Sequence, residues 1–354
     1  MFNFITEEQR MIREAVQKVF AGLHAVDNDL RQRDKGRIDT ASIASALAEL
    51  GLFGTDTDDE SMASAQVQAI VALEAGAVSL PFPVTEALAA HATALRAGSA
   101  APMSPGAVRT LSGASGALDA LPRFDGGRLE GVSRLVTFAD LAERGLIEAN
   151  MDGKVVVADV DLKSSGVTLE PRSCVEPEYV MGDLRFDGAA ATLLQARAAS
   201  NADHDHATFM RQRLALLAAA EAAGAGRHMV AMTRDYLLVR SQFGKVLGAN
   251  QALKHKLADN HVRVEALTAA VEYAAAASDA GAADAESAIY AAKHFAARAG
   301  KAVADSTLQM HGAIGYTMEF PLHLYMRRVF RLGASFGNRD AVSERLFTLF
   351  GQQA

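Results

Sequence analysis

Arg240-Ser-Gln-Phe-Gly244 closes one long alanine-rich run just before another begins, and Gln309-Met-His-Gly-Ala-Ile-Gly-Tyr-Thr317 follows well downstream. The first segment sets a fixed cation, a planar ring and a flexible glycine where two helices meet. The second is a glycine-loosened turn between helices. A guanidinium at a helix end can bridge phosphate oxygens bidentately. Phe243 offers an apolar plane, and Gly244 lets the chain turn without a Cβ clash. Gln251 and Gln309 can donate and accept at pyrophosphate, ribose or adenine edges, and Gly312 and Gly315 allow close approach of backbone to ligand. Taken singly, each motif also reads as an arginine paired with a local acid, a core phenylalanine and glycine caps. Their co-occurrence favours the binding of a dinucleotide.

Other reactive side chains carry less. His311 lies in a helix-linking turn and reads as structural. His204 and His206 with Asp203 and Asp205 lack metal-site spacing and read as a solvated linker. Lys254 and Lys256 are expected on a solvated helix face. The single cysteine, Cys174, rules out an internal disulfide framework and reads as a buried or half-buried thiol in a reducing cytoplasm.

The elements that must position these residues follow from composition and period. With 354 residues, half of them hydrophobic, the chain can bury a large core. Alanine dominates from Leu214 to Ala304, favouring long packed helices. A net charge of −7 argues against nucleic acid as the main partner. The N-terminal acids and the lack of an eighteen-residue apolar run argue against secretion and membrane spanning.

Thr6-Glu-Glu-Gln predicts a capped helix start, with Ile12, Val16, Val19 and Phe20 on one stripe. Further helices are expected over Thr40–Leu50 with Gly51 as stop, from about Ser61 to Ala77, and over Val84–Leu95 after the break at Leu80-Pro-Phe-Pro83. From Ala100 the texture turns to short β-branched runs. Strands are expected over 128–138, 146–149, 154–160 and 179–186, with Asp152-Gly153 as a hairpin turn. Long helices then span Ala207–Val239, Asn250–Ser278, from about Asp284 to Met310, and Pro321–Gly351 with a break near Gly333. Four helices with short connections suggest an antiparallel bundle. The expected organisation is a helical domain at 1–104, a β domain at 105–195 and a four-helix domain at 196–354, mainly α with a central β domain.

That order of domains and those motifs resemble the acyl-CoA dehydrogenase family across nearly the whole chain. Arg240 to Gln251, followed by His255 and Ala258-Asp259, is similar to the family's Arg-x-x-Phe-Gly…Gln…Ala-Asp pattern. Gln309 to Leu322 is similar to its Gln-x-x-Gly-Gly-x-Gly-Tyr-x-x-Glu-x-Pro pattern. Thr6-Glu-Glu-Gln-Arg10 and Glu49-Leu-Gly-Leu-Phe-Gly54 also fit. The resemblance implies that Arg240, Gln242, Phe243, Gly244, Gln251, Gln309, Gly312, Ala313 and Gly315 bind FAD across a subunit interface. It further implies an oligomer, an acyl-CoA substrate and electron-transfer flavoprotein as electron acceptor.

Departures from the pattern matter as much. The family's reaction needs a carboxylate over the substrate α-carbon while hydrogen bonds polarise the thioester carbonyl. Aligned through Arg327 and Gly337, the position of the usual glutamate holds Phe336, and Arg328 replaces the usual aspartate. The alternative site for the base falls at about Leu214, beside Ala215, again without a carboxylate; Glu221 lies further along the helix. The family's Thr-Glu-Pro…Gly-Ser segment has no clear counterpart between Pro102 and Val132. No catalytic residue or metal ligand is therefore assigned. The resemblance is to the base-lacking subunit of a heteromeric dehydrogenase, acting on fatty acyl or steroid side-chain thioesters beside a glutamate-bearing partner. Competing readings are a homomeric dehydrogenase with its base at Asp340, Glu344 or Glu221, a flavin monooxygenase, and a scaffold protein without FAD.

Overall fold

A computed structural model describes residues 6–26, 40–52, 60–98, 107–112, 120–177, 179–195, 205–242 and 244–351. Among these the elements in chain order are helices α1 (Glu7–Val26), α2 (Thr40–Glu49), α3 (Ala65–Ala77) and α4 (Val84–Ala97). Strands β1 (Arg109–Leu111), β2 (Arg123–Asp125), β3 (Arg128–Thr137), β4 (Arg144–Met151), β5 (Lys154–Asp161), β6 (Val167–Arg172) and β7 (Met181–Leu193) follow. Helix α5 (His206–Val239) leads to a short hairpin, β8 (Ser241–Gln242) and β9 (Lys245–Val246). Helices α6 (Gln251–Asp279), α7 (Ala285–His311), α8 (Leu322–Ala334) and α9 (Arg339–Gly351) complete the chain. The contacts divide it into two compact units. One comprises Met1–Ile38, Ala65–Leu80 and Ala215–Ala354; the other comprises Asp39–Ser64 and Pro81–Leu214.

In the first unit α1 starts as the sequence indicates: Gln9 N–H donates to Thr6 Oγ1 at 3.2 Å while Thr6 N–H donates to Gln9 Oε1 at 3.0 Å. That reciprocal pair satisfies two donors the helix leaves open. Helix α3 begins later than expected, at Ala65, after a single 3-10 turn at Glu60–Ala63. The reason lies far along the chain. The Asp279 carboxylate, at the end of α6, accepts from Ala65 N–H at 2.6 Å and Gln66 N–H at 3.0 Å, so a tertiary contact caps α3. Helix α5 crosses α3 backbone to backbone. A Cβ on Gly76 would fall deep inside the carbonyl oxygen of Glu221, and one on Gly224 inside that of Leu73. Reciprocal glycines thus fix the crossing.

Helix α8 ends at Ala334 and α9 starts at Arg339, so the break lies beyond Gly333, where the sequence placed it. Gly333 stays within α8, where a Cβ would meet Ala297 only at ordinary contact distance. Phe336 (φ +56) and Gly337 (φ +96) carry the actual turn, and Asn338 Oδ1 accepts from Ala341 N–H at 3.0 Å to cap α9. Lys293 of α7 closes the other side: its buried Nζ donates to the Leu332 carbonyl at 2.8 Å.

In the second unit strands β4, β2, β3, β7 and β5 pair in sequence, and β5 pairs back onto β4, closing a small barrel. Its core holds Leu129, Val136, Ile147, Val160, Leu184 and Phe186. Closure pairs the short strand β2 on both sides, leaving β1 and β6 each paired on one side only. Strands β1, β2 and β6 go beyond the sequence expectation, since three to six residues carry too little period to read. Tyr179 lies outside β7, contrary to expectation. It is buried, packs edge-on against Phe138 at 4.5 Å and donates to the Phe82 carbonyl at 2.8 Å, so side-chain anchoring removes it from the ladder. Cys174 is half-buried, as expected.

Candidate functional site

The two motifs meet through a tyrosine that neither contains. Tyr236, one helical turn before Arg240 on α5, stacks on the His311 ring at 4.6 Å, and its hydroxyl donates to the His311 carbonyl at 3.3 Å. Phe320 packs against His311 at 4.7 Å and edge-on against Tyr236 at 6.1 Å, so the three rings form one cluster. The end of α5 and the Gly312–Tyr316 turn are thereby held side by side. Sequence reasoning missed Tyr236; an aromatic one turn from the arginine was the available signal.

His311 is the hinge of this arrangement. Its Nδ1 lies 2.8 Å from the Thr307 carbonyl, which only accepts, so Nδ1 carries the proton of the neutral ring. Burial pushes its pKa below the usual imidazole value, and the Thr307 carbonyl acts against that shift. A neutral, aromatic-clamped ring fits the structural role expected from sequence.

Beyond this clamp the side chains turn outward. Arg240 N–H closes α5 on the Tyr236 carbonyl at 2.9 Å, while its guanidinium is exposed and has no acid partner among the described residues. The β8–β9 hairpin follows, with Gln242 opposite Lys245 and Gly244 at φ +77, facing open space. Phe243 lies outside the described residues. Gln242, Gln251, Gln309 and Ala313 are all exposed. Gly312 adopts φ 66 and ψ −141, and a Cβ added there would meet nothing within 4 Å, so an open glycine backbone faces outward. Gly315 differs: it is buried, and a Cβ there would press on His311 and Leu308 at 3.1 Å, so it serves packing. Exposed apolar side chains flank the same segments, including Leu238, Val239, Val246, Ile314 and Tyr316. Lys254 and Lys256 are exposed, as expected.

A phosphate-bearing ligand fits such a surface: an uncommitted guanidinium, three amides and an open glycine turn offer donors without a neutralising acid. The surface is not enclosed within this unit.

At the position of the expected base, Phe336 is half-buried in a left-handed turn. The carboxylates that could substitute are placed for other work. Glu221 is buried and bound to Arg328 at 2.6 Å. Asp340 is 88% exposed and lies 3.5 Å from Arg339, and Glu344 is exposed. Leu214 and Ala215 are fully buried. No group of three or more histidine, cysteine, aspartate or glutamate side chains suited to a metal occurs among the described residues. His206 is not solvated as expected: it is buried in the first turn of α5, where Asp205 caps the helix through Ala207 and Thr208 N–H groups. Asp203 and His204 lie outside the described residues. No described helix is long and apolar enough to cross a membrane.

Fold and site together define a chain with a helical unit that exposes the Arg240 and Gly312 segments and a unit built on a small barrel. A sequence model of the acyl-CoA dehydrogenase C-terminal domain matches residues 203–341. Those residues belong to the acyl-CoA dehydrogenase family, and the chain as a whole carries that family's fold. Acyl-CoA dehydrogenase IpdE2 of Mycolicibacterium smegmatis is 38% identical over 114 residues, 32% of this chain and 35% of the relative. Acyl-CoA dehydrogenase FadE34 of Mycobacterium tuberculosis is 31% identical over 209 residues, 59% of this chain and 28% of the relative. The match thus spans about a third of the length of these curated relatives. Among solved structures, a steroid ACAD variant, Tcur3481–Tcur3483, superposes with a TM-score of 0.85 at 23% identity over 98% of each chain. The ChsE4–ChsE5 complex of Mycobacterium tuberculosis gives 0.82 at 20% identity over 99% of each. A glutaryl-CoA dehydrogenase of Mycobacterium smegmatis in complex with FADH2 gives 0.80 at 18% identity, over 98% of this chain and 95% of that one.

Proposed function

We propose that this chain serves the α,β-desaturation of an acyl-CoA thioester in the cytoplasm, as the subunit that completes the FAD site of a glutamate-bearing partner. The observation that carries the reading is a contrast. Arg240 stands exposed and uncommitted beside the Gly312 turn, while a phenyl ring occupies the position of the family's base.

FAD, when bound, supplies the hydride acceptor. On this chain Arg240 holds pyrophosphate oxygens, and Gln242, Gln251 and Gln309 offer amides to the remaining polar edges. Gly312 and Ala313 present backbone, with Gly244 at the hairpin and Phe243 proposed as the apolar plane. Because these groups face outward, a second chain has to cover the ligand. The exposed apolar side chains around them, Val239 and Tyr316 at 77% and 72%, support a covering partner. Proton abstraction is assigned to that partner's glutamate, since Phe336 has no basic atom and Glu221 is held by Arg328. A chain of the ChsE4–ChsE5 complex shares this fold, which supports assembly with a second chain. Electron-transfer flavoprotein is the proposed acceptor for the reduced complex.

The test is expression of the chain alone and together with a glutamate-bearing relative, followed by flavin absorbance and acyl-CoA oxidation. Activity only in the mixed complex, lost on changing the partner's glutamate, supports the reading. Robust dehydrogenation by the isolated chain rejects it.

A further inference from the structure

Two hydrogen bonds run from one motif segment to the other through Tyr236. Arg240 N–H donates to the Tyr236 carbonyl at 2.9 Å, and the Tyr236 hydroxyl donates to the His311 carbonyl at 3.3 Å, one residue before Gly312. The Gly312–Tyr316 turn also closes directly on His311, since a Cβ built on Gly315 would lie 3.1 Å from the His311 Cβ. A displaced His311 side chain therefore shifts the turn on one side and loosens the end of α5 on the other.

The ring has a place for one proton only. Nδ1 donates to the Thr307 carbonyl at 2.8 Å, while Nε2 is buried and has no hydrogen-bond partner among the described residues. In the neutral ring Nε2 is a lone acceptor, which costs far less to leave unsatisfied than a charge. An imidazolium would add an N–H there with nothing to receive it. The Tyr236 and Phe320 rings offer a cation only the attraction of aromatic faces, which is weaker than the cost of sealing an unpaired charge from water. Of the titratable groups on the surrounding elements, Tyr236 of α5 stacks on the ring. Arg234, Asp235, Arg240, Tyr316 and Glu319 are exposed, Asp305 of α7 pairs with Lys301, and His323 of α8 sets its Nδ1 2.9 Å from the Phe320 carbonyl. Among the described residues no charged side chain acts on the His311 proton; burial disfavours it and the Thr307 carbonyl opposes that effect.

We propose that His311 is a positioning residue for FAD: its neutral ring locks the Gly312 turn to the Arg240 end of α5, and a proton on Nε2 releases that lock. The inference rests on the flavin-binding role proposed for this surface and adds its regulation. A protonated ring turns toward water, and the Gly312 backbone and the Tyr236 hydroxyl leave their register with Arg240. Flavin affinity is then constant at neutral pH and above. It falls, by up to about tenfold per pH unit, once the pH drops below the His311 titration, which burial places under the usual imidazole value.

The test titrates FAD into the purified mixed complex from about pH 7.5 down to about pH 5, with flavin fluorescence as the readout. In parallel, the His311 ring nitrogens and the amide shifts of Arg240 and Gly312–Tyr316 are followed in the isolated chain without flavin. Wild type should lose affinity toward acid, and the turn amides should follow the His311 titration. His311→Asn keeps an amide donor for Thr307 and takes no proton. It should bind several-fold more weakly at neutral pH and lose the acid dependence. Tyr236→Phe keeps the ring without the hydroxyl and should also bind several-fold more weakly. Circular dichroism verifies that each variant is folded. An equal acid loss in wild type and folded His311→Asn, no acid loss in wild type, or turn amides that ignore the His311 titration overturns the inference while flavin binding itself stands. Absence of flavin from every complex rejects the proposed function, and this inference with it.

Discussion

Nη1 of Arg328 donates to Oε1 of Glu221 at 2.6 Å with both side chains sealed from solvent, and Nη2 of the same guanidinium donates to the Leu80 carbonyl at 3.1 Å. Arg331 Nη2 lies 3.9 Å from the same carboxylate oxygen. An arginine where the family resemblance implies an aspartate thus serves the interior of the bundle, with Glu221 as its counter-charge. A carboxylate committed in this way is not free to take a substrate proton.

Removing one member should leave a buried charge uncompensated. Glu221→Gln is expected to cost about 3 kcal/mol in urea unfolding. The double change Glu221→Leu with Arg328→Met should recover most of that loss. If Glu221→Gln instead abolished dehydrogenation with unchanged stability, the carboxylate would be catalytic.

The α3–α5 crossing predicts an inversion of the usual helix propensity rule. Gly224→Ala is expected to destabilise by roughly 2–4 kcal/mol, because the new methyl meets the Leu73 carbonyl rather than open space. Gly22→Ala on α1, where nothing lies within 4 Å, should stabilise by about 0.5–1 kcal/mol. Chemical denaturation of the two variants checks the contrast.

Lys293 should make stability pH-dependent. Burial lowers its pKa from 10.5 to about 7, so between those values the unfolded chain holds a proton that the folded chain has released. Stability therefore rises with pH across that window, and the cost of the buried ammonium is fully present below it. Relative to Lys293→Met, the wild-type chain should gain on the order of 1–2 kcal/mol between pH 7 and pH 9. A flat difference would mean that the ammonium keeps its proton in the folded state.

Arg240→Ala should leave unfolding unchanged, since the exposed guanidinium has no partner in the described chain. Flavin affinity of the mixed complex should fall about 10–100-fold, the loss of a charge-assisted contact of about 1.5–3 kcal/mol. Arg240→Lys should restore only part of it, because an ammonium cannot grip two oxygens in one plane. Fluorescence of released flavin during dilution measures both.

Most of the long helices were legible because alanine-rich runs, apolar stripes and glycine stops are local signals. Thr6, Gly51 and Asp152-Gly153 each placed a boundary through their own backbone chemistry. The motifs around Arg240 and Gly312 could be picked out by their spacing, as could Phe336 where the resemblance implies a base. Tertiary structure alone decided which contacts hold those segments in place. Asp279 caps a helix more than two hundred positions away, and Tyr236 joins two motifs through a ring and a carbonyl. Glu221 finds its counter-charge at a position that looked like a loss. Short strands closed into a barrel because neighbouring strands supplied the hydrogen bonds that so few residues could not specify. Local sequence fixes backbone preference within a turn or two; partners for buried charge and polar backbone are chosen only when distant segments are brought together.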